Sequence, residues 1–73
     1  MAKIDINSEM TGSVWKILVQ AGQEIAEGDM VILIEAMKME IPVVALDSGR
    51  VSEILVKEGD MVTDGDVVMR LEQ

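Results

Sequence analysis

The 73-residue chain contains no cysteine, no histidine, no phenylalanine and no tyrosine. Without cysteine there is no disulfide to staple a small fold, and no thiolate to act as nucleophile or metal ligand. Without histidine the commonest general base is missing, and Ser8, Ser13, Ser48 and Ser52 have no imidazole to activate them. Trp15 is the only aromatic residue, so nucleic-acid bases are offered no stacking platform. The basic residues Lys3, Lys16, Lys38, Arg50, Lys57 and Arg70 are scattered, and the formal net charge is −8. Both facts argue against a nucleic-acid partner. No run approaches the ~18 consecutive apolar residues of a membrane span. The N-terminus alternates Lys3, Ile4, Asp5, Ile6 where a signal peptide would be apolar. The expectation is a soluble, cytoplasmic monomer with no membrane contact, folded as one domain over residues 1–73. The acidic surface reads as a solubility device.

Carboxylates are plentiful, but their placement speaks for turns. Glu58 and Asp60 flank Gly59, and Asp64 and Asp66 flank Gly65. Asp beside Gly is the usual chemistry of tight turns, and EF-hand spacing is absent. No metal site and no catalytic pair is expected.

The chain repeats itself. Residues Gly12 to Glu35 align without a gap on Gly49 to Glu72, an offset of 37 positions, with ten identities in twenty-four. The identities include Gly12/Gly49, Val14/Val51, Gly22/Gly59, Gly28/Gly65, Asp29/Asp66 and Glu35/Glu72. Stacked arrays need three or more repeats, so two copies imply two halves of one closed unit with approximate two-fold symmetry.

Each half reads as β. Short β-branched clusters (Val14 to Val19, Met30 to Ile34, Val51 to Val56, Val67 to Leu71) are separated by glycines at regular spacing. Gly22, Gly28, Gly59 and Gly65 are the expected sites of positive φ. One helical turn through Glu24 to Glu27 fits between Gly22 and Gly28. Met30, Met61 and Met69 are expected in the core, and Trp15 is expected to pack.

Between the repeats lies Glu35-Ala36-Met37-Lys38-Met39-Glu40, followed by the apolar run Ile41 to Leu46. Pro42 opposes a helix there. A strand ending near Ala36 and another beginning near Met39 leave Met37-Lys38 as a two-residue hairpin tip. That tip lacks the Asn-Gly or Asp-Gly such turns favour, and a local departure from turn chemistry points to function.

Ala36-Met37-Lys38-Met39 resembles the attachment motif of the biotinyl/lipoyl domain family. Gly12, Val19, Gly22, Gly28-Asp29, Gly49, Val56, Gly59-Asp60, Val62 and Gly65-Asp66 extend the resemblance over essentially the whole chain. The brevity is similar to the stand-alone biotin/lipoyl attachment proteins. The resemblance implies an all-β fold: a flattened barrel of two four-stranded antiparallel sheets, with the modified lysine on a tight hairpin. It implies a non-catalytic carrier of biotin on Lys38, with Glu35, Ala36, Met37 and Met39 recognised by the modifying ligase. Its partners would then be a biotin protein ligase, a biotin carboxylase and a carboxyltransferase. Lipoate is the alternative cargo, serving an oxo-acid dehydrogenase or glycine cleavage system, although lipoyl domains typically show Asp-Lys-Ala at the hairpin. An unmodified scaffold is the third reading. Two departures stand out. The family's Pro-Met-x-Gly and Ala-Pro-x-x-Gly read here Glu9-Met10-Thr11-Gly12 and Ala45-Leu46-Asp47-Ser48-Gly49, and Pro42 is an extra proline. The gapless repeat also leaves no room for the thumb that some biotin carriers insert.

Overall fold

The computed structural model describes residues 2–73. The strands are β1 (Lys3–Asn7), β2 (Gly12–Ile17), β3 (Glu24–Ile25), β4 (Met30–Ala36), β5 (Met39–Val44), β6 (Gly49–Ile54), β7 (Met61–Val62) and β8 (Val67–Glu72). Among the described residues there is no helix, and the turn at Glu24 to Glu27 is instead the two-residue strand β3 followed by a tight turn. The strands form two four-stranded antiparallel sheets, in the orders β1-β8-β6-β3 and β5-β4-β2-β7. Each sheet takes two strands from each half of the sequence. The halves therefore interlock and cannot fold separately without leaving strand edges bare.

The repeat is a true two-fold in space, and it reaches further back than Gly12. Strand β1 stands to β5 as β2 stands to β6. Every buried apolar side chain among the described residues has its mate 37 positions away: Ile6 with Val43, Val14 with Val51, Ile25 with Val62, Val31 with Val68, Ile32 with Met69 and Ile34 with Leu71, while Ala45 answers to the buried Ser8. Ser8 satisfies its hydroxyl by donating to the Met10 carbonyl at 2.6 Å. Apolar side chains at alternate positions of both sheets meet between them, as the period of two requires.

The predicted turns are where the glycines are. Gly22, Gly28, Gly59 and Gly65 all have φ between 90° and 96°. Asp29, Asp60 and Asp66 each accept a bond from the backbone N–H three residues earlier, at 2.8–2.9 Å. These carboxylates hold turns, as the sequence implied.

Two methionines depart from expectation. Met69 is buried, but Met30 and Met61 are exposed. Met30 starts β4 with its side chain outward, so that Val31 faces in. Strand β7 has only two residues, and Val62 takes the inward one. Trp15 lies at a bulge in β2, is 40% exposed, and carries Lys16 Nζ 5.3 Å above its ring. It is a surface contact rather than a core residue.

Pro42 lies in the middle of the edge strand β5, opposite Leu33. Counting down from the two-residue turn, Ala36/Met39 and Ile34/Ile41 are hydrogen-bonded pairs, while Glu35/Glu40 and Leu33/Pro42 are not. A residue in a non-bonded pair points its N–H away from the partner strand. Pro42 therefore costs the ladder nothing and removes a donor from the open edge. Pro42→Thr is expected to keep the fold and increase concentration-dependent self-association, read by sedimentation velocity. Unchanged sedimentation up to high concentration would show that the edge needs no such guard.

Candidate functional site

The chain turns from β4 into β5 through Met37 and Lys38 alone. Their φ values are 53° and 64°, the only positive values outside glycine among the described residues. Two successive positive φ angles make the type I′ turn that matches strand twist. Neither side chain suits it, since the left-handed region costs L-residues about 1–2 kcal/mol each. The fold tolerates that cost because Ala36 and Met39 are paired in register on either side.

The consequence is display. Lys38 is exposed and, among the described residues, forms no ion pair. Met37 is 94% exposed and Met39 62%. Ala36 is half-buried, and Glu35 and Glu40 are exposed. The termini lie at the far end of a molecule 37 Å long and 17 Å across. There Ala2 and Gln73 exchange both backbone hydrogen bonds, at 3.3 and 2.9 Å. By the two-fold, Gln73 takes the place of Ala36 and Ala2 that of Met39. The terminal pair is thus the counterpart of the lysine hairpin with its tip left open.

The root of the hairpin carries an electrostatic oddity. Glu35 faces Glu40 directly across the ladder, and like charges so placed destabilise a sheet. Its mate Glu72 instead has Lys3 and Arg50 as neighbours. Elsewhere on that sheet Arg70 bridges Asp5 at 3.0 Å and Glu53 at 3.3 Å, and these partners, Asp5 foremost, raise its pKa above the ordinary guanidinium value. The ladder thus sets Glu72 opposite basic residues and Glu35, its two-fold mate, opposite another carboxylate. Glu40→Lys is expected to raise stability by roughly 0.2–1 kcal/mol in urea denaturation. A variant that gains no stability would mean the two carboxylates do not feel each other.

Met61 joins the site unforeseen. Ser13 pairs with Glu35 on one side and Met61 on the other, so Glu40, Glu35, Ser13 and Met61 form one row across the outer face below the tip. The mate of Met61, 37 positions earlier, is the charged Glu24, paired with Arg50 on the other sheet. An apolar residue whose repeat mate is charged was the available signal. Met37 and Met39 give the tip an exposed, deformable apolar surface, and Met61 stands exposed two strands away from β4 on the same sheet.

Two interlocked sheets with one lysine presented on a two-residue hairpin are the geometry expected of a carrier domain. The sequence profile described as "Biotin-requiring enzyme" matches residues 4–71. The chain belongs to this family, the biotin/lipoyl attachment domains. It is 48% identical over 44 residues to the Biotin/lipoyl attachment protein of Bacillus subtilis, covering 60% of each chain. It is 49% identical over 41 residues to Biotinylated protein TB7.3 of Mycobacterium tuberculosis, covering 56% of this chain and 58% of the relative. The matches thus span under two thirds of these relatives' lengths. Among solved structures, the Kluyveromyces lactis urea carboxylase superposes with a TM-score of 0.92 at 44% identity, over 99% of this chain and 6% of that one. A single-chain, multi-domain long-chain acyl-CoA carboxylase superposes with a TM-score of 0.87 at 26% identity, over 93% of this chain and 7% of that one. The two-sheet fold that the family resemblance implies is the fold found here, and it superposes on part of each of these carboxylases.

Proposed function

We propose that this chain carries biotin as an amide on Lys38 and presents it in turn to a biotin carboxylase and a carboxyltransferase. The observation that carries the reading is the exposed, unpaired Lys38 on a non-glycine type I′ turn, at the end opposite the termini. The residues fit the group. The amine is reachable, and nothing among the described residues competes for it.

Attachment needs an external ligase, because the free carboxylate of biotin does not acylate an amine until it is activated as an acyl-adenylate. Once its ammonium has lost a proton to the ligase or solvent, Nζ attacks the acyl carbon of the activated acyl-adenylate. The C–N bond forms, the acyl–phosphate bond breaks, and AMP leaves. Met37, Met39 and Ala36 give the ligase a deformable apolar contact, and Glu35 a charge to read. Bound there, biotin supplies a ureido nitrogen that accepts a carboxyl group at one active site and yields it at another. The chain contributes tethering, which makes each encounter intramolecular at high effective concentration. Met37-Lys38-Met39 in place of Asp-Lys-Ala supports biotin, as do the names of the relatives and of both carboxylase neighbours. The name of the Bacillus relative keeps lipoate as the alternative.

Intact mass after co-expression of the full chain with a biotin protein ligase, and separately with a lipoyl ligase, tests the reading. One biotinyl increment is expected. A lipoyl increment alone would replace the cargo, and a folded protein with neither would overturn the carrier reading.

A further inference from the structure

The molecule has four edge strands, and three of them are blunted. Strands β3 and β7 have two residues each, and β5 is sealed by Pro42. Strand β1 is five residues long and contains no proline. The Ala2/Gln73 pair is hydrogen-bonded in both directions. The antiparallel alternation then makes Ile4/Leu71 bonded and leaves Lys3/Glu72 and Asp5/Arg70 non-bonded. The N–H and C=O groups of Lys3 and Asp5 therefore point away from β8, at the open edge. Asp5 occupies the position that Pro42 occupies on the mate strand.

Strands β1 and β5 belong to different sheets, and a groove of about 440 Å³ opens between them. Ile4, Ile6, Ile41 and Val43 line it with apolar surface, and Leu46 stands exposed beside it. Every charged residue in its lining is acidic: Asp5, Glu9 and Asp47. Lys3, beside the groove at the terminal end, is the one nearby cation on β1.

We propose that this groove receives an extended segment of a partner protein, with apolar and basic residues alternating, which adds to the open edge of β1 as a ninth strand. Strand addition supplies main-chain bonds to Lys3 and Asp5. At alternate positions the apolar side chains enter between Ile4, Ile6, Ile41 and Val43, while the basic ones face Glu9 and Asp47, Asp5 being already bridged to Arg70 at 3.0 Å. Charge selects the occupant: a second copy of a chain carrying −8 brings repulsion to an acidic rim, whereas Lys and Arg are attracted. Pro42 makes the groove one-sided, since a strand can bond fully to β1 and not to β5. The site is separate from the lysine tip, so a partner seated there leaves Lys38 free. The surface does not depend on which group Lys38 carries.

The probe is a short capped peptide of alternating valine and lysine, titrated into the isotopically labelled full chain, with a valine–glutamate peptide as control. Amide shifts confined to β1 and the groove are expected, with slowed exchange at the Lys3 and Asp5 amides. Asp5→Pro mirrors Pro42 and removes one edge donor without touching the ladder. It should weaken binding about tenfold, whereas Asp5→Asn, which keeps the N–H but loses the Arg70 ion pair, should weaken it less. Glu9→Lys with Asp47→Lys weakens binding without altering any backbone group. Equal binding of the acidic peptide, shifts mapping elsewhere, dimerisation through β1, affinity indifferent to Asp5→Pro and to the double charge reversal, or no binding at millimolar peptide would each overturn the proposal.

Discussion

Lys38→Arg is expected to abolish attachment completely while leaving the fold intact. Arginine keeps the positive charge and nearly the length of the side chain. Its guanidinium is not deprotonated in proteins, and its lone pairs are delocalised, so it cannot attack an acyl carbon. The position is exposed and the turn already holds a non-glycine residue, so stability should change by less than about 0.5 kcal/mol. Intact mass should show no increment after co-expression with the ligase, and thermal unfolding should match the parent. An increment that persists would have to reside on Lys3, Lys16 or Lys57 or at the N-terminus, and would remove the hairpin from the mechanism. Peptide mapping would say where it went.

Gly12→Ala should produce the largest loss of stability among single-methyl changes. A Cβ at Gly12 would stand 2.5 Å from the Glu35 carbonyl oxygen and 2.8 Å from Ile34 Cγ2. The first obstacle is backbone and cannot rotate away. Overpacking of this kind costs about 1–3 kcal/mol, occasionally more, in a chain whose total stability at this length is roughly 4–11 kcal/mol. A melting temperature lower by about 10–20 °C is the expected reading. The two-fold supplies the control. At Gly49 the corresponding carbonyl, Glu72 O, is 3.0 Å from the added atom and the next neighbours 3.4 Å. Gly49→Ala should therefore cost distinctly less. Because Glu35 and Ala36 sit at the root of the lysine hairpin, Gly12→Ala should also slow attachment, and Gly49→Ala should not. Equal losses at the two glycines would show that close approach is not what holds them.

Much of this was legible in the residues because the chain contains its own comparison. Where the halves agree, as at Val14 and Val51 or Gly28 and Gly65, the fold demands the residue. The glycine turns and the closed two-fold unit followed from that; the two-residue hairpin was read from the apolar runs on either side of Met37-Lys38, and the two four-stranded sheets from the family resemblance. Strands β3 and β7 did not, because two residues carry no periodicity; each is held in register by the other half of the chain. The correspondence of β1 with β5 under the repeat escaped for a related reason: Ile4 and Ile6 match Ile41 and Val43 in character but not in flanking sequence. Met30 and Met61 were misplaced because hydrophobicity alone does not say which of two alternating faces a residue occupies. Positions where the mates differ in kind tell the most about function. Pro42 against Asp5 and Met61 against Glu24 are substitutions the scaffold did not require. The like-charge pair Glu35/Glu40 follows from the two-residue tip, which sets Glu35 opposite Glu40 one step below Ala36 and Met39.

The bonded pair Ala2 and Gln73 has a mechanical consequence. Tension applied through the two ends of the chain pulls β1 and β8 apart from the same point, so the ladder opens like a zipper, one pair at a time and at low force. Tension between Lys38 and either end instead runs along the length of the molecule and loads several strands in parallel, in shear. A load arriving at the lysine thus meets the stiff direction of the fold, while the soft direction runs between Ala2 and Gln73.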